Sequence, residues 1–172
     1  MIIKVKARIF NAIVLMLMLT GNGQPVKAMS APFHAYGGQN LQTGSTLTFA
    51  AVADAHVEEL HPTTNNGNSD YLQVENANNR NTESYIRFTV SGVTGTVQSA
   101  RLRVYATTNS SSNGPAVYGT SNTWTESGIT WNNRPGRTGG VIDNKDEINK
   151  NAWVEYNVTL VVAGNGTVSF VL

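Results

Sequence analysis

From Thr46 onward, apolar and polar residues alternate in short runs, the period-two signature of half-buried β-strands. Residues 46–52 put Leu47 and Phe49 on one face and predict a first strand, which 54–57 continues or bends. Residues 71–74 form a short run with Leu72 and Val74 on the same side. The clearest strand spans 83–90: Ile86, Phe88 and Val90 share one face, and Tyr85, Arg87 and Thr89 share the other. In the next, 97–107, Ala100, Leu102, Val104 and Ala106 alternate with Arg101, Arg103 and Tyr105. Further strands are predicted at 116–118, 153–160 and 167–172, with one helical turn as the alternative for 160–163. Turns rich in Gly, Asn, Ser and Pro separate these runs at 61–69, 76–81, 91–96, 123–140 and 164–166, and a Ser/Asn tip at 109–114 is the expected site of disorder.

Roughly seven or eight short strands with polar turns and no amphipathic helix predict an all-β fold, an antiparallel β-sandwich of jelly-roll type. The run 168–172 stops inside an apolar strand, so one or two closing strands are expected to be missing. Trp124 and Trp131 are read as loop-locking core residues, with sugar stacking as the alternative. Trp153, at a strand start, is read as core.

Composition narrows the classes. Apolar residues make up 40% of the 172 and charged residues only 13%, with a net charge of +1, so no global field favours nucleic acid or an anionic membrane. The absence of cysteine excludes disulfides and thiolate metal sites. The N-terminus has the layout of an export signal. Lys4, Lys6 and Arg8 precede an apolar run, 9–19, broken only by Asn11 and shorter than the about 20 residues of a membrane span. Val26-Lys27-Ala28 gives small residues at the positions a signal peptidase reads. Cleavage is expected after Ala28, with Ala31 as a second position and an uncleaved anchor as the alternative. The predicted organisation is a signal peptide at 1–28, a linker or arm at 29–45 and the sandwich at 46–172. The chain is thus expected to be secreted or on the cell surface, free of the membrane after cleavage. An exported chain without cysteine also points to a bacterial origin.

Several motifs occur in a fixed order: 53–57 (ADAHV), 84–88 (SYIRF), 99–105 (SARLRVY), Trp124-Thr125-Glu126, 129–135 (ITWNNRP), then Trp153, 156–159 (YNVT) and 168–172 (VSFVL). In that order they resemble the DNRLRE-type domains grouped with carbohydrate-binding module family 96. The Trp-x-Glu and Ile-Thr-Trp-Asn-Asn-x-Pro elements are the most specific part. The resemblance implies a secreted β-sandwich beside a polysaccharide-degrading or surface domain. It also implies binding of an acidic, alginate-like polysaccharide. Family members usually continue past the final Phe strand, and this chain does not.

Catalysis has little support. Glycoside hydrolysis needs two carboxyl groups across the substrate, and none of Asp54, Glu58, Glu59, Asp70, Glu75, Glu83, Glu126 or the 143–147 cluster falls in a recognisable motif. His56 and His61 read as solvated loop residues rather than bases. Binding fits better. If 83–90 and 97–107 pair antiparallel, Tyr85, Arg87, Arg101, Arg103 and Tyr105 share one face, where guanidinium forks suit uronate carboxylates and tyrosine rings suit sugar C–H groups. The alternative is an ordinary solvated sheet face. A second set, His61, Asn65, Asn66, Asn68, Asn78, Asn79 and Arg80, comes from two loops. There Arg80 is the better ligand contact, while the Asn residues suit turn chemistry. Asp54, with Asp70 behind it, is the candidate ligand of a structural Ca²⁺. The expected function is non-catalytic polysaccharide binding. The alternative is a structural or adhesive domain without specific sugar binding.

Overall fold

The alternation closes into two facing sheets. The computed structural model describes residues 3–5, 13–20, 44–107 and 110–172. The strands are β1 (Ile3–Val5), β2 (Ile13–Thr20), β3 (Gly44–Ala50), β4 (Ala53–Glu58), β5 (Leu72–Val74), β6 (Thr82–Val90), β7 (Thr96–Ala106), β8 (Val117–Thr120), β9 (Arg137–Asp143), β10 (Ala152–Asn157) and β11 (Gly166–Val171). One 3₁₀ turn spans Thr159–Val161. Sheet I runs β3-β2-β7-β1-β5, with β10 on β7. Sheet II runs β4-β6-β11-β8-β9. Every pairing is antiparallel.

The predicted inward residues meet between the sheets. Leu102, Val104, Val154 and Tyr156 of sheet I pack with Ile86, Phe88, Val90 and Phe170 of sheet II. Phe88 and Phe170 meet edge to face at 6.3 Å, a geometry that suits their ring quadrupoles. A smaller apolar cluster lies on the outer face of sheet II. There Ala53, Ala55, Val57, Tyr85 and Val171 are covered by Trp124 and Ile129 from the loop that precedes β9.

Three expectations are corrected. First, β6 and β7 do not pair. β6 lies between β4 and β11, whereas β7 pairs with β2 and β10. Period-two alternation says which side of a strand meets the core, not which sheet it joins. The five-residue link between them is longer than a tight hairpin turn and carries the chain across the core. Asn165 holds that link by accepting from Val93 N–H at 2.8 Å and donating to its carbonyl at 3.0 Å. Second, the loop read at 123–140 ends early in β9, whose residues are mostly exposed and so give no apolar alternation. Third, Trp153 is not core: it is 42% exposed on the outer face of β10.

The apolar run read as the centre of an export signal also enters the sandwich. Ile13–Thr20 forms β2, between β7 and β3, with Leu15, Leu17 and Leu19 buried in the main core. The cleavage positions Ala28 and Ala31 lie outside the described residues. No helix among the described residues is long and apolar enough to cross a membrane.

Candidate functional site

The loop between β8 and β9 owes its shape to side-chain locks. Asn65 donates to the carbonyls of Glu126 and Ile129 at 2.8 and 2.7 Å. Asn133 accepts from Thr130 N–H at 2.7 Å and donates to the Gly128 carbonyl at 2.9 Å. Trp124, buried, donates its indole N–H to Ser169 at 3.3 Å. These bonds satisfy backbone groups that would otherwise favour a mobile loop, and they fix Trp131 and Arg134 beside the end of sheet II.

There they wall a groove of about 780 Å³, together with residues from the end of β5, the start of β6, β8, and the 111–116 loop. The Arg134 guanidinium lies 3.3 Å from the Trp131 ring centroid, and that of Arg137 lies 4.3 Å from the Tyr118 centroid. Both arginines bind Glu83, Arg134 Nε to Oε2 and Arg137 Nη2 to Oε1, each at 2.9 Å. Arg134 also donates to the Trp131 carbonyl. The Tyr85 hydroxyl shares its proton between Glu83 Oε2 at 3.0 Å and the Pro135 carbonyl at 2.9 Å. Burial, reinforced by Glu83, pushes the Tyr85 hydroxyl well above the ordinary tyrosine range, so it stays a donor. Stacking and ion pairing thus hold two guanidinium planes in fixed orientations, while Arg137 remains 44% exposed.

The remaining walls are polar. Asn81, Asn113 and Asn144 line the groove. Glu75, another lining residue, pairs with Arg80 at 3.0 Å on the rim. Three guanidinium groups therefore stand against the carboxylates of Glu75 and Glu83. Such a groove can take a ligand that combines hydroxyls with negative charge.

The family model described as carbohydrate-binding module family 96 matches residues 45–172. The chain belongs to this family. Comparison with curated proteins found no match. Membership carries carbohydrate binding of a non-catalytic kind, and in this family 96 module the match begins at Ser45, so β1 and β2 lie outside it.

The face expected to unite Tyr85, Arg87, Arg101, Arg103 and Tyr105 is split between the sheets. Tyr85 is buried beneath the β8–β9 loop. Arg87 lies over the Trp124 ring at 4.9 Å and donates to the carbonyls of Trp124 and Asn122 at 2.7 and 3.2 Å. Both residues hold the loop that builds the groove. Arg101, Arg103 and Tyr105 stay together on the outer face of sheet I.

Of the loop residues, Arg80 reaches the groove rim through Glu75, whereas exposed His61 bonds Glu58 at 2.7 Å and is not a groove residue. Asn65 serves loop structure, and Asn79 takes a left-handed backbone at φ 55°, as turn chemistry requires. Asp54 sits on β4 opposite Ile86. No group of three or more His, Cys, Asp or Glu side chains placed to hold a metal occurs among the described residues.

Sequence reasoning missed Arg134, Arg137 and Tyr118 as site residues. The Trp-Asn-Asn-Arg-Pro motif was noticed for its tryptophan, yet its arginine carries the charge. The signal for Arg134 is its place three residues after Trp131; local spacing carries none that joins Arg137 to Tyr118.

Proposed function

We propose that this module binds an acidic, uronate-rich polysaccharide in the groove beside Trp131, as the sugar-recognition part of an exported protein. The observation that carries this reading is the pair of guanidinium groups, each stacked on an aromatic ring and both fastened to Glu83. Arg137 supplies donors to a uronate carboxylate, because a guanidinium has five N–H groups and Glu83 engages one of those on Arg137. Asn81, Asn113 and Asn144 supply amides for ring hydroxyls. Rings and guanidinium groups fixed before the ligand arrives reduce the ordering cost of binding. A neighbouring polysaccharide-degrading or surface domain is the natural companion of such a module.

The test is retardation of the full chain in native gels containing alginate, pectin, xylan or no glycan. Alginate and pectin should retard the chain, and added salt should weaken the effect because exposed charge contacts are screened. Arg137→Ala should reduce the retardation while leaving the thermal melt unchanged. Undiminished retardation of both Arg137→Ala and Trp131→Ala would refute the groove as the site.

A further inference from the structure

We propose that the outer face of sheet I is a second glycan-binding surface, making the module bivalent for acidic polysaccharide. The inference rests on the reading that the module binds such a glycan, but on none of the groove's residues.

Strand register builds the surface. β7 and β10 pair so that Tyr105 lies opposite Trp153, Arg103 opposite Glu155, and Arg101 opposite Asn157. The intervening residues Leu102, Val104, Val154 and Tyr156 are buried, so these three pairs face outward. Trp153 is the one aromatic among the large exposed hydrophobic side chains of the described residues. Part of the large Trp153 ring is thus open to solvent beside two arginines, a surface on which an amphipathic ligand can pack.

The ring is held rather than loose. Tyr105 meets it edge to face at 5.3 Å, and the Arg103 guanidinium lies 4.6 Å from the centroid while pairing with Glu155 at 2.7 Å. Arg101 is exposed and has no ion-pair partner among the described residues. Two arginines stand against one glutamate, so the strip is positive where the aromatic surface is bare.

That combination selects its occupant. Sugar C–H groups pack against the exposed part of the Trp153 ring, and a uronate carboxylate further along the same chain meets Arg101. The strip runs along β7 and β10 from Trp153 to Arg101, which suits a long chain lying along the strands rather than a chain end held in a pocket. The groove lies at the end of the sandwich, between the start of β6, the β8–β9 loop, the end of β5 and the 111–116 loop, and the two sites share no residue. A single module can therefore hold two segments of glycan, which raises avidity for long chains and joins separate ones.

The experiment compares four full-length proteins: the unaltered chain, Trp153→Ala with Arg101→Glu, Arg137→Ala, and all three substitutions together. Binding of alginate oligosaccharides is measured by calorimetry, and retardation by long alginate on native gels. Two oligosaccharides per unaltered chain, one per chain in each of the two intermediate variants and none in the last support the proposal. Long-chain affinity should fall at least about tenfold when either site is lost. One oligosaccharide per unaltered chain, lost only with Arg137→Ala, overturns the second surface and leaves the groove intact. One per chain, lost only with the β7–β10 variant, supports this surface and overturns the groove. Absence of binding in the unaltered chain overturns both. Arg101→Glu alone, at an exposed position, serves if the Trp153 variant fails to melt cooperatively. Its failure to lower long-chain affinity then overturns the surface.

Discussion

Cleavage after Ala28 would remove two strands of sheet I, the short β1 and the longer β2, which lies between β7 and β3. The structural contribution of β2 can be worked out. β2 buries Leu15 and Leu17 completely and Leu19 to 3% exposure. Burial of a leucine side chain contributes about 1.5–3 kcal/mol, so the three together contribute about 5–9 kcal/mol. Whole-domain stability is about 5–15 kcal/mol. Loss of β2 also frees the facing edges of β7 and β3, which it otherwise joins.

The assay is a circular-dichroism melt of the full chain beside a chain of residues 29–172. The shorter chain should melt roughly 10–35 °C lower, or without a cooperative transition. Within the full chain, Leu17→Ala should cost about 2–5 kcal/mol in urea unfolding, as expected for a buried leucine. Superimposable melts of the two lengths, with Leu17→Ala neutral, would refute the structural role of β2. The family match, which begins at Ser45, would then describe a sandwich that is stable without it.

Three substitutions test the rest of the construction. At Gly67 an added Cβ would lie 2.0 Å from the Glu126 carbonyl oxygen, so Gly67→Ala should displace the loop that builds the groove, lowering the melting point and glycan retention together. Arg87→Ala should lower stability by about 1.5–3 kcal/mol, because the guanidinium is a charged donor to two carbonyls of that loop, and urea unfolding measures it. Tyr156 is fully buried and its hydroxyl lacks a hydrogen-bond partner among the described residues, so Tyr156→Phe should leave stability unchanged or raise it by about 1 kcal/mol. Burial raises the hydroxyls of Tyr85 and Tyr156 above their ordinary value of 10.0, so the folded state holds these protons more tightly. The associated stability is fully present below pH 10.0 and is lost as pH climbs through the raised folded values. An alkaline titration of Tyr156→Phe should show a smaller loss than the unaltered chain.

The core was legible because one side of each strand is apolar. Ile86, Phe88 and Val90, and Leu102 and Val104, all lie where alternation puts them. Sheet membership was not legible, since strands facing each other across a core carry the same pattern as strands lying side by side. That one ambiguity separated Arg87 from Arg103. Arg101, Arg103 and Tyr105 kept a common face because they share a strand. The groove lay beyond reach for a different reason. Glu83 and Tyr118 are far in the chain from Arg134 and Arg137; pairing of β8 with β9 sets Arg137 beside Tyr118, and docking of the β8–β9 loop brings Arg134 to Glu83.

Residues 13–20 have two possible fates, and the physics of each draws on the same feature. A continuous apolar run suits a signal peptide, which the export machinery must meet unfolded. It equally suits a strand buried on one face within a sheet, where Leu15, Leu17 and Leu19 fill the core. In the folded chain the backbone of this run is paired on both sides, by β7 and β3, and is withdrawn from any recognition that needs it extended and free. If the run serves as an export signal, it has to be read before sheet I closes. The groove is lined from β5, β6, β8 and the loops beside them, and the Trp153 surface lies on the pair β7–β10, so neither takes a binding side chain from β2. Glycan retention by residues 29–172 thus separates the two contributions of this run: a chain that binds but melts early uses β2 for closure alone.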